Sequence, residues 1–242
     1  TSSANVPDFT VLNTDSMDPP CMDTYTSVAT PLHDIYLFFP MMFSHYPTGF
    51  STAYDDGLLE ARMAVSRDGS NISYLSRRAW LPRGAGRVRS PGCFWDGAFD
   101  SASTAVVRGL VQLSNETQLF GWGAQSTHAG LDNSSQAALA RPKSGIQRLR
   151  LRKNSFISLS TDRRNISKSA VLETVTLPRP KCSPRVGFHV ELNLVTDIGR
   201  GTTVEMLDSY GAVVAVSDAL VGIDDVAAVP TWNAPSGTSR RL

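Results

Sequence analysis

Helical periodicity is nearly absent from these 242 residues, which argues against a bundle or an α/β layer fold. Cysteine is scarce too. Cys21, Cys93 and Cys182 stand far apart without metal-ligand spacing, which leaves either one disulfide plus a free thiol or three buried thiols. A surplus of either charge is also lacking: 23 Lys and Arg against 22 Asp and Glu give a formal net charge of +1. That balance offers no electrostatic case for a nucleic-acid or polyanion partner. No apolar run approaches the roughly 20 residues of a membrane helix, so no membrane span is expected. The longest run, Ile35–Phe43, is interrupted by Pro40. There is no phosphate loop, dinucleotide fingerprint, nucleophile elbow or clustered His/Cys/Asp set, so neither a cofactor nor a metal is expected. The chain begins with Thr1 and shows no signal peptide, as a mature form, a trimmed form or a fragment would.

What is present is a series of short segments alternating with period two, separated by turn residues. Asp34–Phe39 reads as an apolar strand. Leu58–Ser66 alternates cleanly: Leu59, Ala61, Met63 and Val65 face one way, Glu60, Arg62, Ala64 and Ser66 the other. Ile72–Arg77 answers it across Ser66-Arg67-Asp68-Gly69. Thr104–Leu113 and Gln118–Gly123 pair around a hairpin loop, and Gly145–Arg152 and Phe156–Leu159 follow. Further strands are predicted at Val171–Thr176, Val186–Leu194, Thr202–Leu207, Ala212–Ser217 and Val226–Thr231. Leu207–Gly211 is a hairpin connection in which Gly211 can take a positive φ. Pro82–Gly97 and Ala129–Ser144 read as long loops of the kind that rim a site. The pattern predicts an all-β propeller, sandwich or barrel. Aromatics, His and Asp are frequent between strands before about residue 150, and Val/Leu/Thr-rich hairpins dominate after Val186. A boundary is placed at about residue 152, giving domains 1–152 and 153–242. Four Asn-x-Ser/Thr sequons, at Asn71, Asn115, Asn133 and Asn165, exceed the roughly two expected by chance and hint at a secretory route.

Several stretches together resemble a known family. They are Asp23-Thr24-Tyr25-Thr26, the aromatic strand Tyr36–Pro40 followed by His45, and Asp56-Gly57 with Ser66–Gly69 after it. Leu119–His128, Leu151–Leu159, Leu192-Asn193, Val204-Glu205 with Asp208 and Gly211, and Trp232 continue the series. The sequence is similar to distant relatives of the invertase/levanase type of glycoside hydrolase, family 32-like. The resemblance implies the last part of a five-bladed β-propeller, in 1–152, followed by a β-sandwich, in 153–242. It implies a carbohydrate partner and hydrolysis of glycosidic bonds in an oligo- or polysaccharide. The invertase signatures Asn-Asp-Pro-Asn-Gly, Arg-Asp-Pro and Glu-Cys are missing, so no catalytic residue is carried over.

Candidate residues therefore rest on chemistry. A glycosidase needs two carboxyl groups, roughly 5 Å apart for retention or roughly 6.5–9.5 Å for inversion. Glu60 lies on a strand, which would hold it rigidly, and Arg62 shares its face. Asp56 and Asp23 complete the set of candidate catalytic acids, although Asp56 before Gly57 is also a natural turn residue. Tyr25 beside Asp23 suits sugar hydroxyls. Arg62, His45, His128 and Trp95 are candidate substrate-binding residues, Trp95 as a stacking platform. Asp68 reads mainly as a turn residue. Arg148, Arg150 and Arg152 make a basic strand face that is either solvated or paired with acids, or that takes an anion. The rival to an enzyme is a non-catalytic carbohydrate-binding or adhesion module, or an inactive fragment. The oligomeric state is not legible from the sequence.

Overall fold

The computed structural model describes residues 12–45, 57–90, 94–125, 143–159, 170–174 and 190–233, with the side chains of 86–97 outside that description. The described residues are all β, with no helix. No helix among them is long and apolar enough to cross a membrane. The chain divides into two compact units: residues 1–112 with 118–150, and 113–117 with 151–242.

The first unit is built on β1 (Met22–Leu32), β2 (Ile35–His45), β3 (Gly57–Ser66) and β4 (Ser73–Leu81), each antiparallel to the next. β5 (Gly86–Ser90) and β6 (Phe94–Gly97) form a separate two-stranded hairpin. β7 (Ser103–Gln112), β8 (Glu116–Ala124) and β9 (Ser144–Arg152) complete a 7-stranded sheet of order β1-β2-β3-β7-β8-β9, with β4 also on β3. β3 meets β7 in parallel at Leu59↔Ser103, where the Leu59 amide donates to Ala102 O at 3.2 Å. The core gathers Leu37, Phe39, Phe43, Leu59, Ala61, Met63, Val106 and Leu119. Burying a side chain of Leu or Phe size contributes about 1.5–3 kcal/mol.

Pro40 explains an irregularity at the centre of this sheet. It has no N–H to give a ladder, so a proline normally stays off central strands. Here β2 pairs with β3 at Tyr36–Phe38 and again at Met41–His45, and skips Phe39 and Pro40. On the other side of β3, the register with β4 shifts between Ala61 and Met63. Arg62 thus sits where both of its neighbouring ladders lapse.

The second unit carries β10 (Leu192–Val195), β11 (Gly201–Thr202), β12 (Glu205–Leu207), β13 (Val213–Ser217), β14 (Leu220–Val221), β15 (Asp224–Ala228) and β16 (Trp232–Asn233). All its pairings are antiparallel: β10 with β15, β11 with β14, and β13 between β12 and β16. At the β12–β13 tip, Asp208 Oδ1 accepts from the amides of Tyr210 and Ala212, and Gly211 takes φ +81°.

The sequence pattern misplaced some elements. The stretch 82–97, read as a loop, contains the β5–β6 hairpin. β1 was not foreseen, because this edge strand is half solvated and bulged at Thr24/Thr26, so it shows no clean alternation. β2 runs six residues past the expected Phe39, through Pro40, to His45. Phe156–Leu159 and the described part of Val171–Thr176 form no strand. The loop expected at Ala129–Ser144 lies outside the described residues except at its end, where Ser144 opens β9.

Candidate functional site

Cross-strand partners share a face of a sheet, so the register decides where each candidate points. Asp23 is opposite Phe43, and Phe43 is opposite Leu59. His45 lies two residues beyond Phe43 and so projects to the same face. At this end of the β1–β2 ladder, His45 Nε2 donates to Asp23 Oδ2 at 2.7 Å. The Phe43 ring lies 4.1 Å from the His45 ring, and Tyr25 meets Phe43 edge-on at 6.2 Å. The burial gradient is steep. Phe43 is buried and His45 is partly covered, while the side chain of Asp23 is 67% exposed and Tyr25 is half exposed. Tyr25 lies two residues from Asp23, at the bulge between Thr24 and Thr26, and stands beside this pair. Two sequence candidates, Asp23 and His45, are therefore brought together, with an aromatic ring next to them.

Glu60 is opposite Met42, and Met42 is opposite Thr24, so Glu60 projects to the other face. Asp23 and Glu60 do not flank one cleft. Glu60 Oε1 pairs with Arg83 Nε at 3.2 Å and accepts from the Arg83 amide at 3.4 Å. Arg83 continues to Ser101 O through Nη1, at 2.9 Å. Glu60 thus ties the end of β4 to the segment before β7.

Arg62 shares Glu60's face, as the alternation implies, but its guanidinium is buried. It is ion-paired with Asp18, whose side chain is 1% exposed, and Nη2 donates to Met22 Sδ at 3.0 Å. Arg77 joins the same acid through Nη1 at 3.0 Å and reaches Asp15 through Nη2 at 2.6 Å. Both guanidinium groups lie over the Tyr74 ring, Arg62 at 5.8 Å and Arg77 at 4.4 Å from its centroid. Burial pushes the Asp18 carboxyl up. The Arg62 hydrogen bond, the Asp15 amide and the two positive charges outweigh that and hold it below its ordinary value. Burial is likewise the main cause of the raised Tyr74 hydroxyl. The alternating chain Asp15–Arg77–Asp18–Arg62 clamps the segment before β1 onto the sheet.

Asp68 organises the β3–β4 turn. Its Oδ1 accepts from the amides of Ser70 and Asn71, both at 2.8 Å, and Oδ2 accepts from Asn71 Nδ2 at 2.6 Å. These bonds, the Asn71 amide first, hold its carboxyl far below the usual range. Gly69 takes φ +80°. Asp56 and His128 lie outside the described residues, as does the side chain of Trp95, whose backbone is in β6. Among the described residues no group of three or more His, Cys, Asp or Glu is placed to hold a metal. On the basic strand, Arg148 and Arg150 are exposed. Arg152 is committed: it binds Asp224, Asn193 Oδ1 and Leu194 O. Asn193 Nδ2 in turn donates to Lys153 O and Ser155 Oγ.

The residues that sequence reasoning missed are Asp15, Asp18, Tyr74, Arg77 and Arg83. A signal for Asp18 existed. Arg62 stands on a strand between Ala61 and Met63, and a buried guanidinium demands a carboxylate. No protein-family model matches the chain, and no curated protein or solved structure is significantly similar to it.

Proposed function

We propose that this chain is a carbohydrate-active protein that contacts an oligo- or polysaccharide through the Tyr25–Asp23–His45 rim. One observation carries the reading: the 2.7 Å Asp23–His45 pair stands beside a half-exposed Tyr25 ring that is set against buried Phe43. The apolar face of a sugar packs on an aromatic ring, while fixed polar groups at its margin take the hydroxyls. Recognition without cleavage is the function this geometry supports best.

Hydrolysis is the second reading, favoured by one feature. Asp23 is a carboxylate fixed by hydrogen bonding beside a stacking ring, as an acid or nucleophile has to be. It needs a second carboxylate. Asp56, the remaining sequence candidate, lies outside the described residues. Glu60 is set aside as the partner of Asp23, because the two project to opposite faces.

The finer architecture belongs to the same proposal: a propeller portion followed by a sandwich. Two features support it. β1 to β4 make a four-stranded antiparallel meander, the unit of a propeller blade. In the second unit, Asn193 binds Lys153 and Ser155, joining two of the stretches on which the family resemblance rests.

The test is a binding screen of neutral polysaccharides and oligosaccharides against the wild type, Tyr25→Ala and Asp23→Asn, with aryl glycosides as hydrolysis probes. The binding reading expects a hit that both variants weaken about tenfold or more while their unfolding midpoints stay near wild type. A hit that neither variant weakens would remove this rim from recognition. Sugar release abolished by Asp56→Asn and by Asp23→Asn would establish the hydrolytic reading, and its persistence in both would end it.

A further inference from the structure

We propose that the cleft between Leu12–Asp15 and the start of β4 binds a small zwitterion, namely a free amino acid with an apolar side chain. The cleft has a volume of about 380 Å³ and is lined by Leu12, Asn13, Asp15, Ile72, Ser73, Tyr74 and Arg77. That size falls within the roughly 300–1,000 Å³ of small-ligand sites. Tyr74 is the register partner of Ala64, so the cleft lies on the sheet face opposite Tyr25, Asp23 and His45. The inference does not depend on the carbohydrate reading.

The charges choose the ligand class. Arg62 and Arg77 are matched by Asp15 and Asp18, and their formal charges cancel. A singly charged ligand would leave the site with a net charge. A zwitterion does not: its carboxylate lies against Arg77 and its ammonium against Asp15. Both groups are reachable, since the side chains of Arg77 and Asp15 are 27% and 50% exposed. A guanidinium has more N–H donors than the bonds of Arg77 to Asp15 and Asp18 use, and a carboxylate oxygen accepts more than one bond.

Both groups are also held in place before any ligand arrives. Arg77 is stacked on Tyr74 and anchored by buried Asp18. Asp15 accepts from the Met17 amide at 2.9 Å, and its own amide donates to Asp18 Oδ2 at 3.0 Å. Such preorganisation reduces the cost of binding. Leu12 and Ile72 give the ligand's side chain an apolar wall, with Asn13 and Ser73 as polar neighbours.

Titration of the full chain with L-leucine, followed by calorimetry or protein NMR, tests the site. N-acetyl-L-leucine removes the cation and L-leucinamide removes the anion. The expected result is saturable leucine binding that each blocked analogue weakens about tenfold or more. Asp15→Asn should weaken it similarly. Ser73→Trp obstructs the cleft while leaving every ion pair intact, and should do the same. If Asp15→Asn fails to fold, Ser73→Trp and the two analogues decide. Absence of saturation by leucine, equal binding of either blocked analogue, or full binding by Ser73→Trp would overturn the proposal.

Discussion

On one face of the β1–β4 sheet a guanidinium is sealed against Asp18, with 5% and 1% of the two side chains exposed. On the other face Asp23 leaves 67% of its side chain in solvent while it accepts a bond from His45. Both are acid–base contacts, and the solvent makes them different objects. Away from water an ion pair is held by the penalty of separating it, since either partner alone would be a buried charge. In water the same contact is screened and worth about 0–1 kcal/mol, so its groups can exchange partners for a ligand's hydroxyls. The buried pair fixes the fold, and the exposed pair is available for recognition.

The sharpest way to break this comparison is to remove one partner from the buried side. Arg62→Ala removes the buried partner of Asp18 and leaves only the more exposed Arg77 to balance it, and should cost about 3 kcal/mol, read from urea unfolding. A cost no larger than that of Asp23→Asn would mean that water reaches Asp18 and that the two faces do not differ in kind.

Acid should act on the buried side through Asp18. Its folded pKa is lowered, so it adds stability above its unfolded value of about 4 and loses that contribution as pH falls through the folded value. Asp68, also lowered, acts in the same direction. Unfolding midpoints measured at about pH 7 and about pH 3 should therefore converge in Asp18→Asn compared with the wild type. An acid loss as large in the variant as in the wild type would assign the effect to other carboxylates.

How much of this was legible beforehand follows from the same contrast. The alternation over Leu58–Ser66 placed Glu60 and Arg62 on one face, because period two is a backbone property that tertiary context rarely overrides. Their partners were illegible. Asp18 lies in Asn13-Thr14-Asp15-Ser16-Met17-Asp18, which has no periodicity, and Arg83 lies beyond the end of β4. Contacts spanning tens of residues are set by the path of the chain and leave no local trace. The Asp23–His45 contact was half legible, since both residues were candidates and neither pointed to the other. Their meeting depends on the β1–β2 register, and β1 itself was hidden by its solvated edge and its bulge.

A smaller effect tests the turn that sets the β3–β4 register. Gly69 holds φ +80°, where a Cβ is strained, although space around it is open to 3.9 Å. Gly69→Ala should therefore cost about 1 kcal/mol, from backbone strain alone. A loss comparable to that of Arg62→Ala would mean the β3–β4 register had slipped, which turns Tyr74 away from the face of Arg62.

The smallest expected number is the most informative about recognition. A double-mutant cycle on Asp23→Asn and His45→Gln should give a coupling below about 1 kcal/mol, because Asp23 stands in water and salt screens the pair. The same construction on Asp18 and Arg62 should give a coupling several times larger. At a pH where the His45 ring is protonated, the exposed coupling should also shrink as salt is raised, while the buried one should hardly change. If the Asp23–His45 coupling instead matches the buried pair and ignores salt, this end of the ladder is covered in solution. The rim would then be a closed structural joint, and the sugar would have to be sought elsewhere on the molecule.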